Sequence, residues 1–140
     1  MSRTYWEHYS HPADMGIRGY GPTKEEAFGQ AGLALTAVIA DLRTIEPMEE
    51  ITIDCEEQDD ELLFANWLNS LLYEMATRRM LFSKFELNIE NGQLQAKAWG
   101  EKIDVKKHSP SVEVKAATYA DLKVEQDKEG SWSVQCIVDV

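Results

Sequence analysis

Apolar residues first recur at helical spacing after Thr23. Thr23 and Glu26 stand three positions apart, which is the arrangement of a capping box, so the helix is predicted to begin here. Its apolar residues form one stripe, which predicts burial of a single face and an end near residues 41–43. The stripe consists of Phe28, Ala31, Leu35, Val38 and Leu42.

A second helical stretch is apolar around much of its circumference. Asp59 or Asp60 can cap its start, and Arg78 and Arg79 lie near its end, where positive charge is favoured. A helix of this kind is expected to be deeply buried between layers. Its apolar residues are Leu62, Leu63, Trp67, Leu68, Leu71, Leu72 and Met75.

Alternation of apolar and polar residues predicts strands in most of the remaining chain. The clearest signal is Asn91-Gly92, which predicts a tight hairpin, and Gly130 predicts a later turn. Strands and two helices together predict an α+β fold, with a mainly antiparallel sheet and the two helices packed against it. The predicted strands cover residues 5–9, 15–20, 50–56, 85–90, 94–98, 112–124 and 132–138.

Size and charge narrow the classes of function. A chain of 140 residues suits one globular domain, residues 1–140. Its net charge of −11 would repel a phosphate backbone, so little or no direct nucleic-acid binding is expected. The same charge suits a basic protein partner or a hard cation.

Cysteine usage and hydropathy bear on location. Cys55 and Cys136 lack the spacing of zinc sites and are too few for a disulfide framework, which favours a reducing cytoplasm. No apolar run reaches membrane-spanning length, and the start has no export signal, so no membrane association is expected.

The glycines between residues 11 and 28 raise the question of a phosphate-binding loop. Gly16, Gly19 and Gly21 precede a helix start, where backbone amides can hold phosphate. However, their spacing fits neither standard fingerprint, and acidic residues follow where a phosphate would lie. We interpret these glycines as serving turns and close backbone approach.

Asp14 allows two interpretations. It can close an Asx-turn, or it can present two oxygens to a cation. A catalytic triad with Ser10 and His11 is disfavoured, because three neighbours in one turn cannot align as a triad requires.

The end of the chain supplies a possible partner for Asp14. The last apolar strand runs directly into Asp139-Val140 without a polar tail, so the terminal carboxylate is expected to be held in the fold. If the last strand lies beside the first, Asp14, Asp139 and the Val140 carboxylate or carbonyl converge as oxygen ligands for Ca²⁺, Mg²⁺ or Mn²⁺. Otherwise Asp139 is solvated at a strand end.

Five segments of the chain form a recognisable series. In chain order they are HPADMGIRGYGPTKEEAF, LLFANWLNSLLYE, AWGE, VEVKAATY and WSVQCIVDV. Together they resemble the archease family, whose patterns are His-x-Ala-Asp-x-Gly, Leu-Leu-x-x-Trp-Leu-Asn, Val-Lys-Ala-x-Thr-Tyr and an Asp next to the last residue. The family often has histidine where this chain has Ala120, so any role of that histidine does not transfer.

The resemblance implies a compact α+β domain related to the SHS2 type. It also implies a non-catalytic partner of an RtcB-type RNA ligase. Such a partner promotes formation of the guanylylated histidine from GTP and multiple turnover in tRNA splicing or RNA repair. Carried over by residue, the divalent metal would be held by Asp14, Asp139 and the Val140 main chain.

Three further residues could line this site, namely His11, Glu101 and Lys115. Strand alternation also allows Glu101 and Lys115 to be ordinary solvent-facing residues. Two other functions stay open: a small metal-dependent hydrolase with His11 or Glu101 as its base, and a general chaperone or adaptor with a structural metal.

Overall fold

The computed structural model describes residues 3–12 and 14–140. Within them the chain forms eight strands and three helices. A 3₁₀ turn, Leu42–Thr44, follows the first helix. None of the helices in these residues is both long and apolar enough to span a membrane. The strands are β1 (Tyr5–His11), β2 (Asp14–Gly21), β3 (Glu49–Glu56), β4 (Met80–Glu90), β5 (Gln93–Lys102), β6 (Ala116–Ala117), β7 (Lys123–Gln126) and β8 (Trp132–Asp139). The helices are α1 (Lys24–Ile39), α2 (Asp60–Arg78) and α3 (Val105–His108).

The strands form two antiparallel sheets, where the sequence predicted one. The large sheet has the order β1-β2-β8-β6, with β7 also paired to β8, and the small sheet has the order β3-β5-β4. The α+β class is confirmed. The prediction of a single sheet was wrong. Alternation shows that a segment is extended, but it does not show which strand that segment pairs with.

The single strand predicted over residues 112–124 is also wrong. β6 has two residues and β7 has four, and Asp121 between them has a φ of 54°. This left-handed conformation interrupts an extended run. Both short strands pair with β8, so the chain turns within a stretch whose alternation looks continuous.

Local signals at the helix starts and in the hairpin are confirmed. The Thr23 hydroxyl accepts a hydrogen bond from the Glu26 amide, and Asp59 caps α2 by accepting from the Leu62 amide. Asn91 and Gly92 both have positive φ, as a tight hairpin turn requires. One end was misplaced: α1 stops at Ile39 and the 3₁₀ turn continues the chain.

The two long helices share one core with both sheets. α1 packs on β2 of the large sheet and β4 of the small sheet, and α2 contacts strands of both sheets. Trp67 is fully buried, as predicted, and its indole Nε1 donates to the Phe28 carbonyl at 3.0 Å. The edge of the Phe64 ring meets Phe28 with ring centroids 5.1 Å apart. This core fixes the large sheet against α1.

Close approach of β2 to α1 explains Gly19. A Cβ atom at this position would overlap the Ala27 carbonyl oxygen and the Ala31 amide nitrogen. Gly16 lies under the Tyr9 ring, which occupies the space of a side chain. These glycines therefore serve close packing within β2, as interpreted from the sequence.

We predict that Gly19→Ala lowers the free energy of unfolding by about 1–3 kcal/mol, because the added methyl group meets rigid backbone on α1. Chemical denaturation measures the loss. Gly29→Ala is the control within α1: its Cβ would lie 3.7 Å from Leu87, an ordinary contact. It should stabilise the helix by up to about 1 kcal/mol. Equal stability of the two variants would contradict the packing explanation.

Candidate metal centre

Pairing of β2 with β8 brings the N-terminal turn to the C-terminus. The last recorded pair is Met15 with Val138, and the register extended by one residue places Asp14 opposite Asp139. Side chains directly opposite in an antiparallel pair have Cβ atoms about 4.5–5.5 Å apart. The sequence analysis expected the last strand to lie beside the first strand, which is wrong, although Asp14 and Asp139 still lie on neighbouring strands. The last strand lies beside β2, which begins at Asp14, and β1 pairs on the other side of β2.

Residues opposite one another point to the same face of a sheet. His11 pairs with Asp14 across β1 and β2, so His11, Asp14 and Asp139 form one exposed row across three strands. Among residues 3–12 and 14–140, neither aspartate side chain has a hydrogen-bond or ion-pair partner. Two like charges side by side repel each other, and a cation between them would remove that repulsion.

The donor chemistry fits a hard cation. Asp14, Asp139 and the terminal carboxylate of the half-exposed Val140 supply oxygen only, the donor preferred by Ca²⁺, Mg²⁺ and Mn²⁺. Within the described residues, no three His, Cys, Asp or Glu side chains are grouped so that they could hold a metal. A site here would draw further oxygens from the main chain and from water, as Mg²⁺ sites commonly do.

The C-terminal strand is held in place by the segment that carries Lys115. The Lys115 amide donates to the Asp139 carbonyl at 2.7 Å, so the backbone of Lys115 adjoins that of Asp139. The Thr118 amide and hydroxyl both donate to the Ile137 carbonyl at 2.9 Å. Ala120, where histidine is frequent in the resembled family, acts through its backbone by accepting from the Ile137 amide at 3.0 Å.

Comparison with known proteins identifies the family. The sequence profile of the Archease protein family (MTH1598/TM1083) matches residues 6–140. The chain belongs to the archease family. It is 46% identical to the archease of Pyrococcus furiosus over 139 residues, which covers 96% of this chain and 98% of that protein. The archease of Sulfurisphaera tokodaii is 40% identical over 137 residues, with 96% and 98% coverage.

Solved structures agree with this archease assignment. The solution structure of protein 1598 from Methanobacterium thermoautotrophicum has a TM-score of 0.84 and 32% identity, and covers 96% of this chain and 98% of that one. An archease from Thermotoga maritima, described as a possible chaperone, has a TM-score of 0.58 and 19% identity, with 96% of both chains covered. The second likeness shows the fold alone. The family resemblance seen in the sequence is confirmed.

Glu101 does not lie where the sequence analysis considered it, beside the candidate metal site. It lies on β5 of the small sheet, where its carboxylate accepts from Lys107 and from the Glu46 amide. It also accepts from Nε2 of the buried His108 at 2.9 Å. The Asp104 amide donates to the other ring nitrogen of His108, so Nε2 carries the proton. The structure therefore gives Glu101 the role of anchoring α3, and does not bring it to the aspartate row.

The hydrogen bonds that Glu101 accepts lower the pKa of its carboxyl group. The hydrogen bond from Lys107 is the largest cause, followed by those from the Glu46 amide and His108, and together they lower the pKa of Glu101 to about 2. The charged carboxylate is thus the form that this cluster stabilises.

A polar network that the sequence did not reveal covers the same face as the aspartate row. Arg18 donates to Glu7 at 2.7 Å and to Gln135 at 2.8 Å, and its guanidinium lies 4.2 Å from the Tyr9 ring centroid. The Tyr9 hydroxyl donates to Asp121 at 2.9 Å. Arg18 lowers the pKa of Glu7, while burial and Asp121 raise the pKa of Tyr9. Only the strand register places these residues together, so no local signal could have found them.

We predict that Glu101→Gln lowers the free energy of unfolding at neutral pH, because it removes a charged acceptor from Lys107. The folded-state pKa lies below the ordinary value of 4.5, so the stabilisation is complete above that pH. It is lost as the pH falls towards 2. Urea denaturation at several pH values should show the wild type and the variant converging between pH 4.5 and 2.

Glu56→Gln is the control for this pH dependence, since Glu56 is exposed on β3 of the small sheet. Its stability should stay within about 0.5 kcal/mol of wild type at each pH. A constant difference between wild type and Glu101→Gln from pH 7 to pH 2 would disprove the proposed ionisation.

Proposed function

We propose that this protein is an accessory factor of an RtcB-type RNA ligase. It promotes the GTP-dependent guanylylation of the ligase and its multiple turnover in tRNA splicing or RNA repair, and it holds a divalent cation at its joined chain ends. The observation that carries the proposal is the placement of Asp14 opposite Asp139 in a chain of the archease family.

Asp14, Asp139 and the Val140 main chain are the proposed metal ligands, and Ca²⁺, Mg²⁺ and Mn²⁺ are the candidate ions. The support is chemical: two aspartates without side-chain partners in the described residues lie at the ends of neighbouring strands, and the terminal carboxylate follows one residue later. A bound divalent cation would offset the two aspartate charges and so relieve their repulsion. His11 belongs to the same exposed row, and the backbone of Lys115 adjoins Asp139, so both side chains are proposed to line the site.

Activation of a partner requires differential binding. An accessory protein shifts the ligase towards its competent state only by binding that state more tightly than the idle one. We propose that the edge with Asp14 and Asp139 docks near the nucleotide pocket of the ligase and makes this distinction.

The acidic surface supports the choice of partner. An enzyme that acts on RNA carries positive charge for its substrate, and a protein of net charge −11 is attracted to such a surface without competing for the RNA. Little or no direct nucleic-acid binding follows from the same charge.

We propose further that the protein is not itself the catalyst. A metal-dependent hydrolase needs a general base close to the cation. Glu101, one of the two candidates, is engaged with Lys107 and His108 in the small-sheet cluster. His11 is the other candidate for the general base, and it is exposed at the end of β1.

A general chaperone or adaptor is the second candidate. The Thermotoga maritima relative is described as a possible chaperone. This chain has an apolar groove of about 420 Å³, lined among others by Leu72, Met75, Ile103 and Val112. Grooves of about 300–1,000 Å³ suit small ligands or a few side chains, so an extended unfolded client is the weaker proposal.

We predict that Asp14→Asn and Asp139→Asn weaken Mn²⁺ binding by at least the roughly 10–100-fold that loss of a supporting partner costs a metal site. Each change removes one charged oxygen ligand. Calorimetry measures the affinity. Ligase activation should fall in parallel, which a guanylylation assay of the cognate ligase with GTP measures.

Asp54→Asn is the matched control, because it removes the same charge from an exposed position on β3. It should retain wild-type metal binding and activation. Full activation by both site variants would exclude the metal from the mechanism. Turnover by the purified protein alone would favour the hydrolase, and equal protection of unrelated unfolded proteins would favour the general chaperone.

We predict that salt slows association with the ligase. Raising the ionic strength from about 0.01 M to about 0.1 M shortens the screening length from roughly 30 Å to roughly 10 Å, which weakens long-range attraction. Stopped-flow measurements should show a lower association rate and a smaller change in dissociation rate. An association rate independent of salt would contradict the electrostatic part of the proposal.

A further inference from the structure

Asn69 on α2 makes an unusual contact with a distant strand. Its side-chain amide Nδ2 donates to the Ala117 carbonyl at 3.1 Å, and its Oδ1 accepts from the Ala117 amide at 2.9 Å. A carboxamide offers the same donor and acceptor as a peptide group. Asn69 therefore bonds to β6 as a neighbouring strand would, and it satisfies both backbone groups of Ala117.

β6 is a very short strand. Its two residues, Ala116 and Ala117, pair with Asp139 and Val138 of β8. The backbone groups of Ala117 bond to α2, so they lie on the side of β6 away from β8. Lys115 and Thr118, which flank β6, also donate to carbonyls of β8, so that side of the segment is well bonded. The side chain of Asn69 supplies the second side.

The position of Asp139 depends on β6. In the described residues, the pairing of β2 with β8 is last recorded at Val138, and β7 pairs no further along β8 than Gln135. Ala116 pairs with Asp139, and the Lys115 amide donates to the Asp139 carbonyl. β6 is thus the strand recorded as pairing with Asp139.

We propose that Asn69 is a positioning residue for the candidate metal centre. It holds β6 to α2, β6 holds the backbone of Asp139, and the Asp139 carboxylate is thereby kept opposite Asp14. The effect on metal affinity rests on the proposed function, whereas the effect on the position of Asp139 does not.

The chain provides a matched control one turn away on the same helix. Asn66 accepts from the Ser70 hydroxyl at 3.1 Å, and both residues belong to α2. Asn66→Ala removes the same side chain from the same helix and leaves the bonds to Ala117 intact. A general loss of helix stability would affect both variants, whereas loss of positioning affects Asn69→Ala alone.

The test compares Asn69→Ala and Asn66→Ala in the full chain. Amide hydrogen exchange measured by NMR without metal reports on the Lys115 amide, whose acceptor is the Asp139 carbonyl. Calorimetry with Mn²⁺ reports on the candidate site. Asn69→Ala should expose the Lys115 amide to exchange and weaken Mn²⁺ binding by about 10-fold or more, as loss of a supporting residue does. Asn66→Ala should match wild type in both measurements.

Wild-type protection of the Lys115 amide in Asn69→Ala would overturn the proposal, and so would unchanged Mn²⁺ affinity together with lost protection. If wild type itself binds no Mn²⁺, the metal part of the proposed function fails, and exchange of the Lys115 amide alone decides whether Asn69 positions Asp139. If Asn69→Ala does not fold, Asn69→Asp serves instead. It keeps the acceptor for the Ala117 amide and loses the donor to its carbonyl, so the same losses are expected.

Discussion

The antiparallel pairing of β2 with β8 is the interaction on which the rest of the structure depends. It joins the first third of the chain to its last residues and forms the centre of the large sheet. One face of that sheet packs on α1, closely enough to require glycine at position 19. The other face carries the Arg18 network and, at its end, Asp14 and Asp139. A one-residue shift of this register would move the side chains of one strand to the opposite face and separate the two aspartates.

Several charged groups outside the aspartate row are held by specific partners. Glu101 binds Lys107 and His108, and Arg18 binds Glu7. These contacts stabilise the charged carboxylates of Glu101 and Glu7 and hold segments of chain in place. Asp14 and Asp139 lie together without such a partner among the described residues. This pair of carboxylates is the basis of the proposed metal site.

Family membership and geometry support the proposed function in different ways. The family match extends over nearly the whole chain and establishes relatedness. The geometry gives a physical reason for motifs that a comparison alone leaves as patterns. Thr118 ties its segment to Ile137, and Asn69 bonds to Ala117, so two separate motifs support the strand that ends in Asp139. Residues far apart in the sequence thus act on one location.

Local sequence features determined the elements, and tertiary structure determined their arrangement. The capping residue Thr23, the apolar periodicity of α2 and the Asn91-Gly92 turn act over a few residues, so their consequences could be read directly. The division into two sheets, the turn at Asp121 and the place of Glu101 could not, because they depend on which strands pair and in what register. For the same reason, the sequence analysis could place Asp14 near Asp139 only on the condition that particular strands are neighbours. Strand pairing is a long-range choice made by the whole core, and only the folded chain shows it.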